Sequence, residues 1–290
     1  MEQFKEKWLV IGADGLIGRA LSDYLKIVGK PVLETTKRPD TISEKRLLLD
    51  LAEDISDWQL PEHISVAYIC AAVTSLSDCR KDPSQTKKIN VTNTVVLARK
   101  LVEQGVFVVF PSTNLVYDGL VPSLEPDAPV CPKTEYGRQK AEAEKQLMSL
   151  EEMVAIVRFT KILGTETPLF KEWIKALKNN KVIHPFSDMV ISPVPLSFAV
   201  EVLYRVAEKR LPGIVQVSGR QDVTYEQVAL YIAKRIGAGQ EQIQPIKAKE
   251  SGLNIETLCS NTTLDISRLK NELKVMPPDV WKTIEDACEL

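Results

Sequence analysis

The chain has 290 residues, 44% of them hydrophobic, and a formal net charge of -2 from 37 Lys+Arg against 39 Asp+Glu. That length fits about two domains, or one large α/β unit with an appended lobe, and the apolar content excludes a disordered chain. The balance of charge excludes a strong field of either sign, so nucleic acid and membrane surfaces are poor partners.

At the N-terminus, MEQFKEKWLV carries charge where a signal peptide needs an apolar run. Trp8 to Ile11 then form an apolar run suited to a strand buried on both faces. Gly12, Gly15 and Gly18 follow as G-x-x-G-x-x-G. Leu16, Ile17, Ala20, Leu21 and Leu25 recur at helical spacing until Gly29 stops the helix. PVLETT, RLLLDL and VAYICAAV read as three further strands. DPSQTKKINVTNTVVLARKLVEQG reads as one long helix and VFVVFPST as the next strand. A proline-rich loop over residues 120–132 leads to a helix starting in TEYGRQKAEAEK, and VAIVRFTKILG is another strand.

Strands that are unbroken apolar runs, alternating with helices, imply a parallel sheet covered on both faces. The expected fold is therefore α/β, a Rossmann-type doubly wound parallel sheet over residues 1–164. Beyond Gly164 the alternation loosens. LFKEWIKALKNNK, LSFAVEVLYRVAEKR and TYEQVALYIAKRIG are amphipathic helices around the strand GIVQVSG. Residues 165–290 are expected to form a smaller, mostly helical substrate-binding lobe, with the strand near 214–218 a candidate to return to the main sheet. No stretch approaches the ~20 apolar residues of a membrane span. Five cysteines without a C-x-x-C pair suit reduced thiols. Two histidines, His63 and His184, offer too little for a zinc site or a histidine triad. The expectation is a cytoplasmic protein that holds no metal. The sequence gives no clear oligomer signal and leaves a homodimer open.

The glycine turn lets backbone amides approach a pyrophosphate at a helix N-terminus. Its spacing differs from G-x-G-x-x-G, so the strand before and the helix after carry the reading. Gly12, Gly15, Leu16, Ile17 and Gly18 are expected to bind a dinucleotide. At the end of the second strand, Thr36 and Arg38 suit a 2′-phosphate, with Arg19 assisting, which favours NADP(H) over NAD(H). If that strand ends earlier, Glu34 becomes the acidic residue that holds a bare ribose. Tyr136 and Lys140 lie a turn apart on one helical face, which alone is an ordinary surface pair. A lysine so placed lowers a phenol's pKa by about 1–3. Gly137 leaves room beside the tyrosine, for a nicotinamide or for a close helix contact. Phe170 and Trp173 read as core, and His184 as a loop residue. Arg158 is open between a diphosphate contact and an ion pair.

Taken together, the glycine turn, STNLVYDG and YGRQK resemble the extended short-chain dehydrogenase/reductase family, and within it the dTDP-4-dehydrorhamnose reductase branch of nucleotide-sugar enzymes. The resemblance spans the chain, with its specific motifs in the first 160 residues. It implies Thr113, Tyr136 and Lys140 as catalytic residues, with Ser112 beside the first. It implies Asp50 and Leu51 at the adenine, Ala71 and Ala72 (after Cys70) beneath the cofactor ribose, and Lys140 on the ribose hydroxyls. Asn90, Glu125, Asp127, Pro132 and Glu144 fall on further recurring positions. The implied activity is NADPH-dependent reduction of a nucleotide-linked 4-keto-6-deoxy sugar, with hydride from the nicotinamide and a proton from Tyr136. An epimerase or dehydratase on the same scaffold, or a non-catalytic cofactor-binding regulatory subunit, are the alternatives. Two departures bear on the substrate. Asn114 stands where the family's S-T-D run has an acid, and FSDMVISPVPL is only similar to the D-x-x-x-x-P segment.

Overall fold

The computed structural model describes residues 6–165 and 167–290. The first five residues, half of the stretch weighed as a signal peptide, lie outside the described residues. The chain forms two compact units. Among the described residues, the first gathers 6–116, 130–158 and 199–215, and the second gathers 117–129, 159–165, 167–198 and 216–290.

In chain order the elements run β1 (Lys7–Ile11), α1 (Leu16–Ile27), β2 (Val32–Thr36), β3 (Arg46–Leu48), β4 (Ile64–Ile69), α2 (Leu76–Lys81), α3 (Pro83–Lys87), α4 (Thr94–Glu103), β5 (Phe107–Thr113), α5 (Glu135–Leu147) and β6 (Val154–Phe159). There follow β7 (Ile162–Leu163), α6 (Pro168–Lys178), β8 (Val190–Ile191), β9 (Val194–Pro195), α7 (Leu196–Glu208), β10 (Gly213–Val217), β11 (Val223–Thr224), α8 (Tyr225–Ile236) and α9 (Val280–Cys288). One seven-stranded sheet has the order β10-β6-β5-β4-β1-β2-β3. β1 pairs in parallel with both β2 and β4, and the β2–β3 and β4–β5 pairs are parallel too. This is the expected Rossmann-type sheet, and β10 is one of its edge strands. Leu9, Ile11, Ala67, Ile69, Val108 and Phe110 pack against Val95, Leu97, Leu101 and Leu147 of the covering helices. Each of the buried Val, Leu, Ile and Phe side chains contributes roughly 1.5–3 kcal/mol of transfer free energy.

Two segments of this unit differ from the sequence expectation, and one residue connects them. VAYICAAV does not continue as a strand to Val73; β4 ends at Ile69. The Asn90 side chain takes up the Val73 backbone instead. Its Oδ1 accepts the Val73 N–H at 2.8 Å and its Nδ2 donates to the Val73 carbonyl at 2.9 Å. Asn90 itself lies in a π-helical turn, Lys88–Asn93, between α3 and α4, where one unbroken helix was expected. Such turns recur at functional sites because they re-aim side chains. Asn93, in the same turn, donates to the carbonyls of Leu51 and Glu53 at 2.9 and 2.8 Å. One irregular turn thereby fixes the two loops that follow β3 and β4. The short helix α2, capped by Ser75 on the Asp78 N–H, was not foreseen.

In the second unit, Phe170, Trp173 and Leu177 of α6 pack with Val228 and Ile232 of α8 and with Ile284 of α9. Phe170 and Trp173 are core, as their spacing indicated, with ring centroids 5.7 Å apart. A capping box of Thr224 and Gln227 starts α8, and Gly237, at φ 74°, ends it. The unforeseen α9 is capped by Asp279. VAIVRFTKILG is not one strand. It breaks after Phe159, and β7 pairs with β9 in a separate two-stranded sheet.

Candidate functional site

The sheet order reverses between β1 and β4, which is where open α/β sheets place a crevice beyond the carboxyl ends of their strands. A cleft of about 300 Å³ lies there, lined by Gly12, Gly15, Asp50, Leu51, Ala71 and Ala72, all of them singled out from the sequence. Cys70, placed with Ala71 and Ala72 by the resemblance, lines it too, as do Asp14, Lys37 and Val73, which were not assigned to the site by sequence. The glycines divide by role. Gly12 has φ 85°, and a Cβ there would lie 2.6 Å from the Ala71 nitrogen. A Cβ on Gly18 would lie 2.2 Å from the Gly12 carbonyl oxygen. Both serve close backbone packing. Gly15 is different: a Cβ there would meet only the Gly12 carbonyl oxygen, at an ordinary contact distance of 3.6 Å. Gly15 is also the N-cap of α1, with no side-chain cap and no acid in the first turn. The helix therefore presents uncapped amides and the positive end of its dipole, which suits an anion. Leu16 is exposed, Ile17 half-buried and Gly18 buried in that first turn.

Thr36 and Arg38 do not line the cleft. Both are bonded to Asp14. The Thr36 hydroxyl donates to Asp14 Oδ2 at 2.7 Å and Arg38 Nη2 donates to Oδ1 at 2.6 Å, while Arg46 Nη2 donates to the same Oδ1. Burial would raise the Asp14 pKa, but the bonds from Thr36 and Arg38 and the two guanidinium charges outweigh it and hold the carboxyl below its usual range. Arg19 donates to the Asp14 backbone carbonyl at 3.1 Å. Glu34 is taken by Lys26 at 2.6 Å. Sequence reasoning passed over Asp14 and Arg46; the only signal for the first was an acid inside the glycine turn.

Across the sheet, β5 and the start of α5 carry the other expected residues. Thr134 caps α5 by accepting the Gly137 N–H at 3.0 Å. A Cβ on Gly137 would fall 2.2 Å from the Leu115 carbonyl oxygen. The glycine is thus required by a helix packed directly on backbone, the second of the two reasons open in the sequence. Thr113 is buried, its Oγ1 accepting the Leu115 N–H at 3.2 Å. Ser112 donates to Glu144, which forms a buried ion pair with Arg158 at 2.7 Å. Arg158 is therefore an ion-pair residue. Asp188 accepts the Ala248 N–H at 2.8 Å, and His184 Nδ1 lies 3.0 Å from the Gln244 carbonyl, both loop-fixing bonds.

Tyr136 is half-buried, and Lys140 is 2% exposed. Lys140 Nζ donates to the Pro111 carbonyl at 2.7 Å and sits 3.5 Å from the centroid of the Phe110 ring. Burial pulls its pKa down to about 7, against the opposing pull of Glu144 and Cys70. Burial also pushes the Tyr136 phenol up, with Cys79 and Glu144 adding to the rise. The lowering expected from the i,i+4 spacing does not offset this. Burial likewise lifts the Cys70 thiol to about 12, which leaves it unreactive at neutral pH.

Residues 6–289 match the family described as the RmlD substrate binding domain. The chain belongs to this family. It is 23% identical to a dTDP-4-dehydrorhamnose reductase of Aggregatibacter actinomycetemcomitans, over 96% of this chain and 97% of that protein. It is also 23% identical to the methionine adenosyltransferase 2 subunit beta of Xenopus tropicalis, over 90% of this chain and 81% of that one. Among solved structures, the dTDP-4-dehydrorhamnose reductase of Bacillus anthracis str. Ames in complex with NADP has the same fold. Its TM-score is 0.83 at 20% identity, over 97% of this chain and 98% of that chain. The resemblance drawn from the glycine turn, STNLVYDG and YGRQK is borne out. Among the described residues, no helix is long and apolar enough to cross a membrane.

Proposed function

We propose that this chain is an NADPH-dependent reductase of a nucleotide-linked 4-keto-6-deoxy sugar, working in the cytoplasm, with residues 165–290 supplying most of the sugar-nucleotide contacts. The observation that carries the reading is the cleft at the sheet's switch point, lined by Gly15 at the uncapped N-terminus of α1. A pyrophosphate suits that space. Asp50 and Leu51 suit the adenine side, and Ala71 and Ala72 leave room for a ribose. Lys37 on the cleft wall, with Arg38 and Arg46 close by on Asp14, favours a 2′-phosphate over a bare hydroxyl.

A bound nicotinamide would supply the hydride. The chain supplies position and a proton. The Tyr136 phenol, neutral at pH 7 even at its ordinary value and pushed higher by burial, is in the form a proton donor needs in the reducing direction. Tyr136 gives that proton to the sugar's carbonyl oxygen, and Thr113 donates a hydrogen bond to the same oxygen as negative charge grows on it. Lys140 would hold the ribose hydroxyls.

The test is loss of NADPH absorbance with a panel of nucleotide-linked 4-keto-6-deoxy sugars. Tyr136→Phe is expected to keep NADPH affinity and to lose at least ~10²-fold in turnover, the usual scale for a general acid. Undiminished turnover in that variant removes the assignment. A second reading, a non-catalytic cofactor-binding subunit, is favoured by the likeness to an adenosyltransferase subunit beta and by the engagement of Lys140 with Pro111. It predicts dinucleotide binding without turnover on any sugar of the panel. An epimerase or dehydratase would instead retain its cofactor and convert substrate with no net NADPH consumption.

A further inference from the structure

The end of β2 is where a dinucleotide-binding sheet usually distinguishes the two nicotinamide cofactors. An acid there bonds the ribose 2′-hydroxyl, and an arginine there takes the 2′-phosphate. This chain has both kinds of group, already joined to each other. The Asp14 carboxylate lines the cleft and receives Arg38 Nη2 at 2.6 Å, Thr36 Oγ1 at 2.7 Å and Arg46 Nη2. Three donors on one carboxylate are the set that would otherwise surround a phosphate. The guanidinium of Arg46 keeps capacity in reserve: its Nε is buried and has no partner among the described residues. Lys37 adds a cation on the same wall. Glu34 is a second acid beside them, 3.8 Å from Arg46 and 2.6 Å from Lys26.

We propose that Asp14 sets the choice between the two cofactors, its carboxylate standing in for the 2′-phosphate on Arg38, Arg46 and Thr36. This inference rests on the reading that the cleft takes a nicotinamide dinucleotide. A 2′-phosphate must win the two guanidinium groups from Asp14 and tolerate its charge. A bare ribose meets a ready acceptor and no repulsion. Asp14 thus narrows the preference for NADPH that the cations of this site would otherwise give.

The test compares dissociation constants for NADPH and NADH, from dinucleotide fluorescence, in the wild type and in Asp14→Asn. The amide keeps the size of the side chain and an oxygen for Thr36, but removes the charge. The expected result is a rise in the NADPH-over-NADH affinity ratio of about tenfold or more, through tighter NADPH and weaker NADH, the size of one charge-assisted contact. Arg46→Gln is the second variant, because it leaves Asp14 in place with less to neutralise it. It is expected to weaken NADPH by about fivefold or more and to leave NADH within about twofold. A wild type that binds either dinucleotide, with a ratio that stays within about threefold in both variants, overturns the role of Asp14 and leaves the proposed function standing. A wild type that binds neither overturns both.

Discussion

Replacing Lys140 by methionine should make the protein more stable at neutral pH and less stable in alkali, while abolishing its activity. Lys140 is 2% exposed, and its pKa is drawn from 10.5 to about 7, chiefly by burial. At about 1.4 kcal/mol for each pH unit, that drop corresponds to a cost of roughly 5 kcal/mol for carrying the charged amine in the fold. The sign follows from proton binding. Below about pH 7 both folded and unfolded chains hold the proton, and the full cost is present. Between about pH 7 and the unfolded value of 10.5 the unfolded chain holds a proton that the folded chain has lost, so stability rises with pH. Above that window the cost is gone. Methionine has a similar length and no charge, but it leaves the Pro111 carbonyl without the donor now 2.7 Å away. An unsatisfied buried carbonyl costs about 1–3 kcal/mol.

The net gain for Lys140→Met is therefore about 2–4 kcal/mol at pH 6, shrinking through pH 7–10 and turning into a loss of about 1–3 kcal/mol above it. Urea denaturation of both proteins without cofactor, followed by far-ultraviolet circular dichroism at pH 6, 8 and 10, reads the difference directly. Parallel stability curves from pH 6 to 10 would refute the reasoning, because they would mean that the amine titrates alike in the folded and unfolded chains. A gain in stability coupled to a loss of turnover is the pattern of a residue kept for function against the interest of the fold.

Glu144→Gln replaces the carboxylate on the buried Arg158 guanidinium by a neutral amide. It should cost about 3–5 kcal/mol, and the double variant with Arg158→Met should recover most of that in the same denaturation assay. Gly137→Ala gains about 1 kcal/mol of helix propensity. Its new methyl, however, would sit 2.2 Å from the Leu115 carbonyl oxygen. The repacking cost of about 1–3 kcal/mol should win, which a lower melting temperature would register.

Much of this site could be read along the chain because it is built at strand ends. Gly12 follows directly on the buried run of β1 and Gly15 sits three residues further along the same turn, so finding that run locates both. Asp50, Leu51, Ala71 and Ala72 were legible through the family resemblance. What was not legible depends on pairings between distant segments. Arg46 reaches Asp14 because β2 and β3 pair in a register that sets Glu34 opposite Arg46 and Thr36 opposite Leu48. Thr36 and Arg46 then lie on the same face of neighbouring strands, and nothing local to RLLLDL announces that. The early end of β4 has the same origin: Asn90, 17 residues further on, bonds the Val73 backbone. The i,i+4 spacing of Tyr136 and Lys140 could place the two side chains on one face. It could not say what the amine would bond there, and the Pro111 carbonyl and the Phe110 ring, both from β5, decide that. A spacing rule assumes a solvated helix, in which the nearest charge dominates a phenol's pKa. Here α5 is pressed against backbone at Gly137 and against β5 at Lys140, so burial acts on both groups before either acts on the other. The same close packing that holds the pair in place removes the water that the simple electrostatic argument took for granted.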